Sequence, residues 1–164
     1  MKPTMQVTVD LTKNLKDLVA QLQNREVLVG VPESEDARPG DDEFGNAAIM
    51  YIAENGSAAN NTPARRPMST GIQRAKPKIV NQMKACAKAV LDGKPEAIDT
   101  YLGRVGTIAS NQVKLVIDEQ DGMAPPAPST LKARRRRGFM GEKSYLVTGQ
   151  LRNSITYVVG ERKR

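Results

Sequence analysis

The sequence predicts an α+β domain in which a small, mainly antiparallel sheet packs against several helices, with a long basic arm before the last strand. Alternating apolar and polar residues near both ends of the chain indicate strands, and apolar residues at helical spacing fill the middle. The length of 164 residues is that of one ordinary domain. We therefore expect a single domain over residues 1–164 with one core.

The start of the chain predicts a strand, a helix and a second strand. Period-2 alternation over residues 5–10 indicates a half-buried strand. Leucine and valine at helical spacing over residues 11–22 indicate an amphipathic helix. A run rich in β-branched residues over 25–31, which Pro32 stops, indicates the second strand.

An acidic segment at residues 33–43 follows the second strand. It has six acidic residues, with Pro39 and Gly40 in its centre, so we expect a mobile loop. Adjacent Asp41 and Asp42 could bind a divalent metal, but no histidine accompanies them, and a solvated acidic loop is the preferred interpretation. We predict no metal site.

A first helix in the middle of the chain is predicted over residues 46–55. The helical spacing places Ala48, Ile49 and Ile52 on one face, which we expect to point inward. Gly56 is positioned to stop this helix.

A longer helical pattern follows a turn-rich connector. Its apolar stripe runs over residues 68–90, but Pro77 interrupts it. We therefore expect either a short helix over residues 66–75 and a second helix from Pro77, or one kinked helix.

The helix predicted after Pro95 has its apolar stripe over residues 98–116. Gly103 and Gly106 lie within this pattern and would weaken an isolated helix. We therefore expect the two glycines to permit close packing against a neighbouring element.

The basic segment at residues 123–147, named the arm, has little to bury. Its three prolines favour an extended conformation at the start, and Gly138 and Gly141 loosen the part that follows the arginines. A long segment without its own secondary structure is unusual in a compact domain unless it is functional or a partner completes it. We predict an extended arm that orders itself against other molecules.

The chain closes on a capped helical turn and a strand. We expect Thr148 to cap a short turn over residues 151–153, and a strand to follow over residues 154–160. Every second residue from Ile155 to Val159 should share one face. This strand would return to pair beside the start of the chain.

The composition argues against several functional classes. The chain has no histidine, the usual general base and metal ligand, and no glycine-rich phosphate-binding loop follows a strand. Cys86 is the only cysteine, so we expect a small buried apolar side chain and no intrachain disulfide. We therefore predict that the chain is not an enzyme, binds no cofactor and has no membrane partner.

The strongest chemical feature is a basic block in a chain of net charge +7. Its members are Lys132, Arg134, Arg135, Arg136 and Arg137. In a helix these arginines would point around the whole circumference, as suits a segment surrounded by a polyanion or an acidic surface. Three interpretations stay open: phosphate contact without base specificity, docking against the acidic segment of a neighbouring copy, and a solvated run that aids solubility.

Three stretches in a fixed order give the sequence a recognisable pattern. They are YIAENGS, then TPARRPM, then APPAPSTLKARRR followed by YLVTGQLRNSITYVV. In this order and at this spacing they resemble the neck or tail-completion family of tailed bacteriophages, related to the lambda minor tail protein Z. The resemblance covers about residues 46–160.

The motif positions differ in how closely they follow the family. Those that match are Arg66, Pro67, Thr148, Gly149, Leu151, Ser154 and Ile155. Met68 replaces an aromatic residue that usually follows the Arg-Pro pair, and Asn55 stands where the family often has phenylalanine.

The resemblance implies a structural protein of the virion, assembled in the host cytoplasm. Such a protein forms a homo-oligomeric ring, with a hexamer as the first expectation and a dodecamer as the second. The ring lies at the head-proximal end of the tail, between the head-closure and tail-terminator rings, and surrounds the channel for genomic DNA. The residues alone leave an alternative, a nucleic-acid-binding protein without sequence preference that acts free in the cytoplasm.

Overall fold

The computed structural model describes residues 12–38 and 44–162. Among these residues it has six α-helices, one 3-10 turn at Glu33–Glu35 and a two-stranded antiparallel sheet. The elements are α1 (Thr12–Gln23), β1 (Arg25–Gly30), α2 (Asn46–Asn55), α3 (Pro67–Leu91), α4 (Ala97–Glu119), α5 (Pro128–Arg136), α6 (Gln150–Ser154) and β2 (Thr156–Glu161). The predicted α+β class is confirmed, and the strand expected over residues 5–10 lies outside the described residues.

The sheet joins the two ends of the described chain. Strand β1 pairs with β2 so that Arg25 lies opposite Glu161 and Gly30 opposite Thr156. Val27 and Val159 face the helices, whereas Leu28 and its partner Val158 are 60% and 50% exposed on the other face. The predicted return of the last strand and its alternation of faces are confirmed.

Helices α3 and α4 pack along each other, and the sheet packs against α4. The two helix backbones approach closely because Gly71 has no side chain, and a Cβ atom there would lie 2.6 Å from the Cα of Val113. Helix α3 runs through Pro77 as one element, so the interpretation as two separate helices is wrong. The exposed position of Pro77 lets water satisfy the carbonyl whose helical partner the ring removes.

The buried side chains form two groups along α4. One group, between α3 and α4, contains Cys86, Val90, Ile98 and Leu102. The other joins α2, α4 and the end of the chain, and its members are Met50, Ala53, Val113, Ile117, Leu151 and Ile155. The expected burial of Cys86 is confirmed.

Helix α2 buries a different face from the one expected. Met50 and Ala53 are its buried apolar residues, while Ala48, Ile49 and Ile52 are only half-buried. The first residue of the helix, Asn46, is also buried and lies on the same face as Met50 and Ala53. Gly56 ends the helix as predicted, with a φ of 77° and its N–H donated to Ile52 O at 2.7 Å.

The start of the acidic segment is fastened to α2 instead of forming a free loop. The Asp36 carboxylate accepts the N–H of Ala47 at 2.6 Å, as an acidic group at a helix N-terminus does. The Asn46 side chain donates to Glu35 O at 2.9 Å and accepts from Arg38 at 3.2 Å. These bonds order residues 33–38, and Asp41 and Asp42 lie outside the described residues.

The cap of α6 lies one residue later than the sequence suggested, and the helix begins at Gln150, one residue before the predicted turn. Its N-cap is Gly149, with a φ of 69°, and not Thr148. Only a glycine adopts this left-handed conformation without strain, which explains why the cap position moved. Ser154 is the last residue of α6, so β2 is shorter at its start than expected.

Candidate functional site

The arm is a folded lobe rather than an extended segment. Helix α5 lies in its middle and has no buried residue. Pro128 is the first residue of this helix, where the missing N–H costs nothing, and Gly138 follows its end with a φ of 82°. The sequence pattern missed the helix because α5 has no apolar stripe to reveal it.

Arg65 fastens the start of the arm to the body. Its Nε donates to Ala124 O at 2.7 Å, and its Nη2 donates to Pro125 O at 3.1 Å. Its Nη1 reaches the hydroxyl of Tyr145 at 3.2 Å, and the guanidinium lies 5.5 Å from the centre of that ring. One side chain thus holds both the first and the last part of the arm.

Gln120 fastens the end of the arm to the C-terminus of α4. Its Oε1 accepts the N–H of Ser144 at 2.8 Å, and its Nε2 donates to Ser144 O at 3.1 Å. Gln120 itself has a φ of 62°, which turns the chain out of α4 and aims its amide at the arm. Both backbone groups of Ser144 are therefore satisfied by one side chain.

The basic block divides into inward and outward residues. Arg134 is half-buried and donates to Gly141 O at 3.4 Å and Lys143 O at 2.8 Å, so it closes the arm on itself. Arg135 is exposed and paired with Glu142 at 2.8 Å. Within the described part of the chain, Lys132, Arg136 and Arg137 are exposed and have no ion pair or side-chain hydrogen bond.

The outward residues form a small cationic surface. Lys132 and Arg136 are four residues apart, so they share one face of α5. Beyond Arg137, the exposed side chains of Phe139 and Met140 add an apolar tip, with Met140 79% exposed. We call Lys132, Arg136, Arg137, Phe139 and Met140 the arm tip. It combines free cations with apolar side chains and can contact a phosphate backbone or a protein surface.

The C-terminal motif fixes the end of the arm to the core. Leu151, Ser154 and Ile155 are buried, and the hydroxyl of Ser154 donates to Leu151 O at 2.8 Å. Thr148 is exposed, and its Oγ1 lies 3.4 Å from the N–H of Gln150. Leu151, Ser154 and Ile155 therefore anchor the end of the chain in the core.

Arg152, within the same motif, ties α6 to α4. Its Nε and Nη2 each donate to the carboxylate of Asp118 at 2.7 Å. These hydrogen bonds hold the pKa of Asp118 below its ordinary value, against the opposing effect of burial. The same pair raises the pKa of Arg152. Sequence reasoning passed over Arg152 because it stands between the matching motif positions.

The Arg-Pro motif has a structural role at the start of α3. Pro67 is the buried first residue of the helix, and Arg66 is its exposed N-cap with a φ of 51°. Glu54 supplies the missing cap, since its carboxylate accepts the N–H groups of Met68 at 2.9 Å and Ser69 at 3.1 Å. The arginine with long-range contacts is Arg65, and nothing in the sequence distinguishes it from its neighbour.

Asn55, at the position where the resembled family often has phenylalanine, is exposed. Its side-chain amide donates back to Tyr51 O at 3.0 Å, within the last turn of α2. The core near this turn is filled by Ala53 instead.

Comparisons with known proteins add few constraints. No family model, no curated protein and no solved structure matches this chain. Among residues 12–38 and 44–162, no three His, Cys, Asp or Glu side chains are grouped so as to hold a metal ion. No helix in those ranges combines the length and apolar character needed to cross a bilayer.

Proposed function

We propose that this chain is a structural protein of a tailed bacteriophage that forms a ring in the neck of the virion. One observation carries the proposal beyond the resemblance of its motifs. The arm is held to the body at both ends by Arg65 and Gln120, yet its helix buries no residue and its tip faces outward. An element so placed is suited to contact a neighbouring molecule.

The composition of the arm tip supports a protein partner in addition to DNA. Arginine, methionine and phenylalanine are enriched where proteins meet, and Phe139 and Met140 lie directly beyond Arg137. Phosphate contact alone would need only the cations. In the proposed ring, the arm tip contacts an adjacent subunit or the head-closure or tail-terminator ring, and the net charge of +7 favours the channel DNA.

The experiment reverses the charge of the arm tip in the phage that carries this gene. A gene deletion complemented by the Lys132→Glu, Arg136→Glu, Arg137→Glu triple variant should accumulate separate heads and tails, because the surface that joins them has changed sign. These three side chains have no partner in the described chain, so the fold is retained. Electron microscopy of lysates and plaque counts measure the outcome.

A matched control has the same charge change on another surface. Lys76, Lys78 and Lys84 are exposed on α3, and the triple variant to glutamate should join heads and tails normally. The proposal for the arm tip is wrong if the two triple variants give equal yields of complete particles. The proposal of a neck ring is wrong if mass spectrometry does not detect the protein in purified virions.

The alternative is a nucleic-acid-binding protein that acts free in the cytoplasm, and the unpaired cations of the arm tip favour it. It predicts that the purified chain binds duplex DNA, with log affinity falling linearly as log salt rises. Replacing Lys132, Arg136 and Arg137 by glutamine should reduce this slope by about one unit for each phosphate that the variant no longer neutralises. An affinity too weak to measure at physiological salt rejects this function and leaves the neck proposal standing.

A further inference from the structure

A cleft of about 580 Å³ lies between the connector after α2 and the start of the arm. Its lining includes residues 60–63, residues 125–127, Ser129 and Thr130, together with Arg65, Arg134 and Tyr145. The volume falls within the range of roughly 300–1,000 Å³ that is usual for small-ligand sites. The cleft is separate from the arm tip, whose residues do not line it.

The charged residues that line this cleft are all basic. Arg65 and Arg134 line it, and none of its lining residues is acidic. Both guanidinium groups already donate to carbonyl oxygens of the arm, which fixes their positions. A guanidinium has more N–H groups than these contacts use, so each arginine keeps donors for a ligand.

The first turn of α5 adds further donors. Ser129 and Thr130 line the cleft with their hydroxyl-bearing side chains, and they lie in the first turn after Pro128. The N–H groups of a first helical turn have no partner within the helix, and the helix dipole makes this end positive. Among the residues that the structure describes, no side chain caps α5.

One residue that lines the cleft, Ser144, has a buried polar atom without a partner among the described residues. It lines the cleft, it is only 3% exposed, and its hydroxyl has no hydrogen-bond partner within the described chain. Gln120 already satisfies both of its backbone groups, so the hydroxyl is the one polar atom of this residue left over. A buried hydroxyl without a partner costs free energy that a polar ligand would recover.

We propose that this cleft binds a phosphate group. Two fixed arginines, a free helix N-terminus, serine and threonine hydroxyls and the lack of carboxylates among the lining residues together match the chemistry by which proteins hold phosphate oxygens. The phosphate belongs either to a small phosphorylated molecule or to the backbone of a nucleic acid. The site goes beyond the neck role, because it binds in the isolated subunit and needs no neighbouring ring.

Nuclear magnetic resonance of the purified full chain tests the site with inorganic phosphate. Sodium phosphate replaces sodium chloride at constant ionic strength, and the amide signals of Ser129 and Thr130 should shift and saturate. The Ser129→Asp variant should bind phosphate roughly tenfold more weakly or worse, because a carboxylate then occupies the anion position. Its thermal midpoint should equal or exceed that of the wild type, since an acid in the first turn stabilises a helix.

Two variants serve as controls. Lys132→Gln makes the same change of net charge on α5 at a residue that does not line the cleft, and Ser129→Asn alters the same position without charge. Both should bind phosphate within roughly twofold of the wild type. The site does not exist if the wild type shows no saturating shift, or if Lys132→Gln weakens binding as much as Ser129→Asp.

A competition experiment with a short DNA duplex distinguishes the two sources of the phosphate. If the duplex displaces inorganic phosphate from the wild type and not from the Ser129→Asp variant, the cleft holds a nucleic-acid backbone. If phosphate saturates the cleft and the duplex leaves it in place, the ligand is a small phosphorylated molecule. Head-to-tail joining is measured separately, so a failure of the cleft and a failure of the neck proposal are distinguishable.

Discussion

At the scale of single residues, the ring of Tyr157 sets how closely β2 approaches α4. A Cβ atom built on Gly106 would lie 2.2 Å from Cδ2 of this ring, a distance that real atoms do not reach. At Gly103 the nearest atom is the tyrosine hydroxyl, 3.6 Å away, which is ordinary contact. Two glycines three residues apart on one helix therefore differ in what they tolerate.

Alanine substitutions should separate these two glycines. Gly106→Ala should lower the free energy of unfolding by about 1–3 kcal/mol, because the ring must move out of a packed position. Gly103→Ala should be neutral or should stabilise by about 0.5–1 kcal/mol, because a helix interior favours alanine. Urea unfolding of both variants gives the two values, and equal destabilisation would contradict the role assigned to Tyr157.

The sequence could predict this contact only in part. The presence of a glycine at position 106 within a predicted helix indicated a close neighbour, and the structure confirms it. Nothing local identified Tyr157 as that neighbour, since the two residues belong to elements far apart along the chain. For Gly103 the prediction was too strong, because the space beside it can hold a methyl group.

At the scale of elements, the attachment of the arm depends on Arg65. Replacing it by alanine removes three hydrogen bonds and the contact with the ring of Tyr145. Amides within the arm should then exchange hydrogen roughly tenfold faster or more, as expected when local stability falls by about 1.5 kcal/mol. Hydrogen exchange followed by mass spectrometry measures this for peptides covering residues 123–147.

Arg66→Ala is the matched control for Arg65. The neighbouring arginine is exposed and has the same charge, and its side chain has no hydrogen bond within the described chain. Exchange in the arm should be unchanged in this variant, and so should exchange in α3 and α4. Faster exchange in both variants would show that net charge, and not the Arg65 contacts, holds the arm.

The elements that the sequence could predict are those with an apolar stripe. Helix α4 and strands β1 and β2 carry their burial pattern in their own residues. Helix α5 has no apolar stripe, because the contacts that hold the arm come from Arg65 and Gln120, which lie outside this helix. The same limit applies to the candidate site: a run of arginines is visible in a sequence, but which of them turns inward depends on distant carbonyls.

At the scale of the whole molecule, the ion pair between Asp118 and Arg152 links stability to pH. The lowered pKa of Asp118 means that the folded chain releases its proton more readily than the unfolded chain. The pair therefore stabilises the fold fully above the unfolded pKa, about 3.9 for an aspartate. That contribution is lost as the pH falls through the lower folded pKa.

Asp118→Asn should lower the free energy of unfolding at neutral pH by about 1 kcal/mol, a modest value because both partners are partly exposed to solvent. The difference from the wild type should shrink as the pH falls below the ordinary pKa of an aspartate, because the aspartate then becomes protonated in both states. Urea unfolding across this pH range measures it. Asp121, which pairs with Arg74, is 74% exposed, so Asp121→Asn should lower the free energy of unfolding less than Asp118→Asn does. Equal changes in the two variants would contradict the special role of Asp118.

The pairing of β1 with β2 also decides when the chain can finish folding. Residues 31–155 separate the two strands, so β1 leaves the ribosome long before its partner has been synthesised. Helices α3 and α4 are consecutive and can pack together earlier, because little chain must be closed between them. Until the last residues are released, the growing chain presents β1 as an open edge that other nascent chains can pair with.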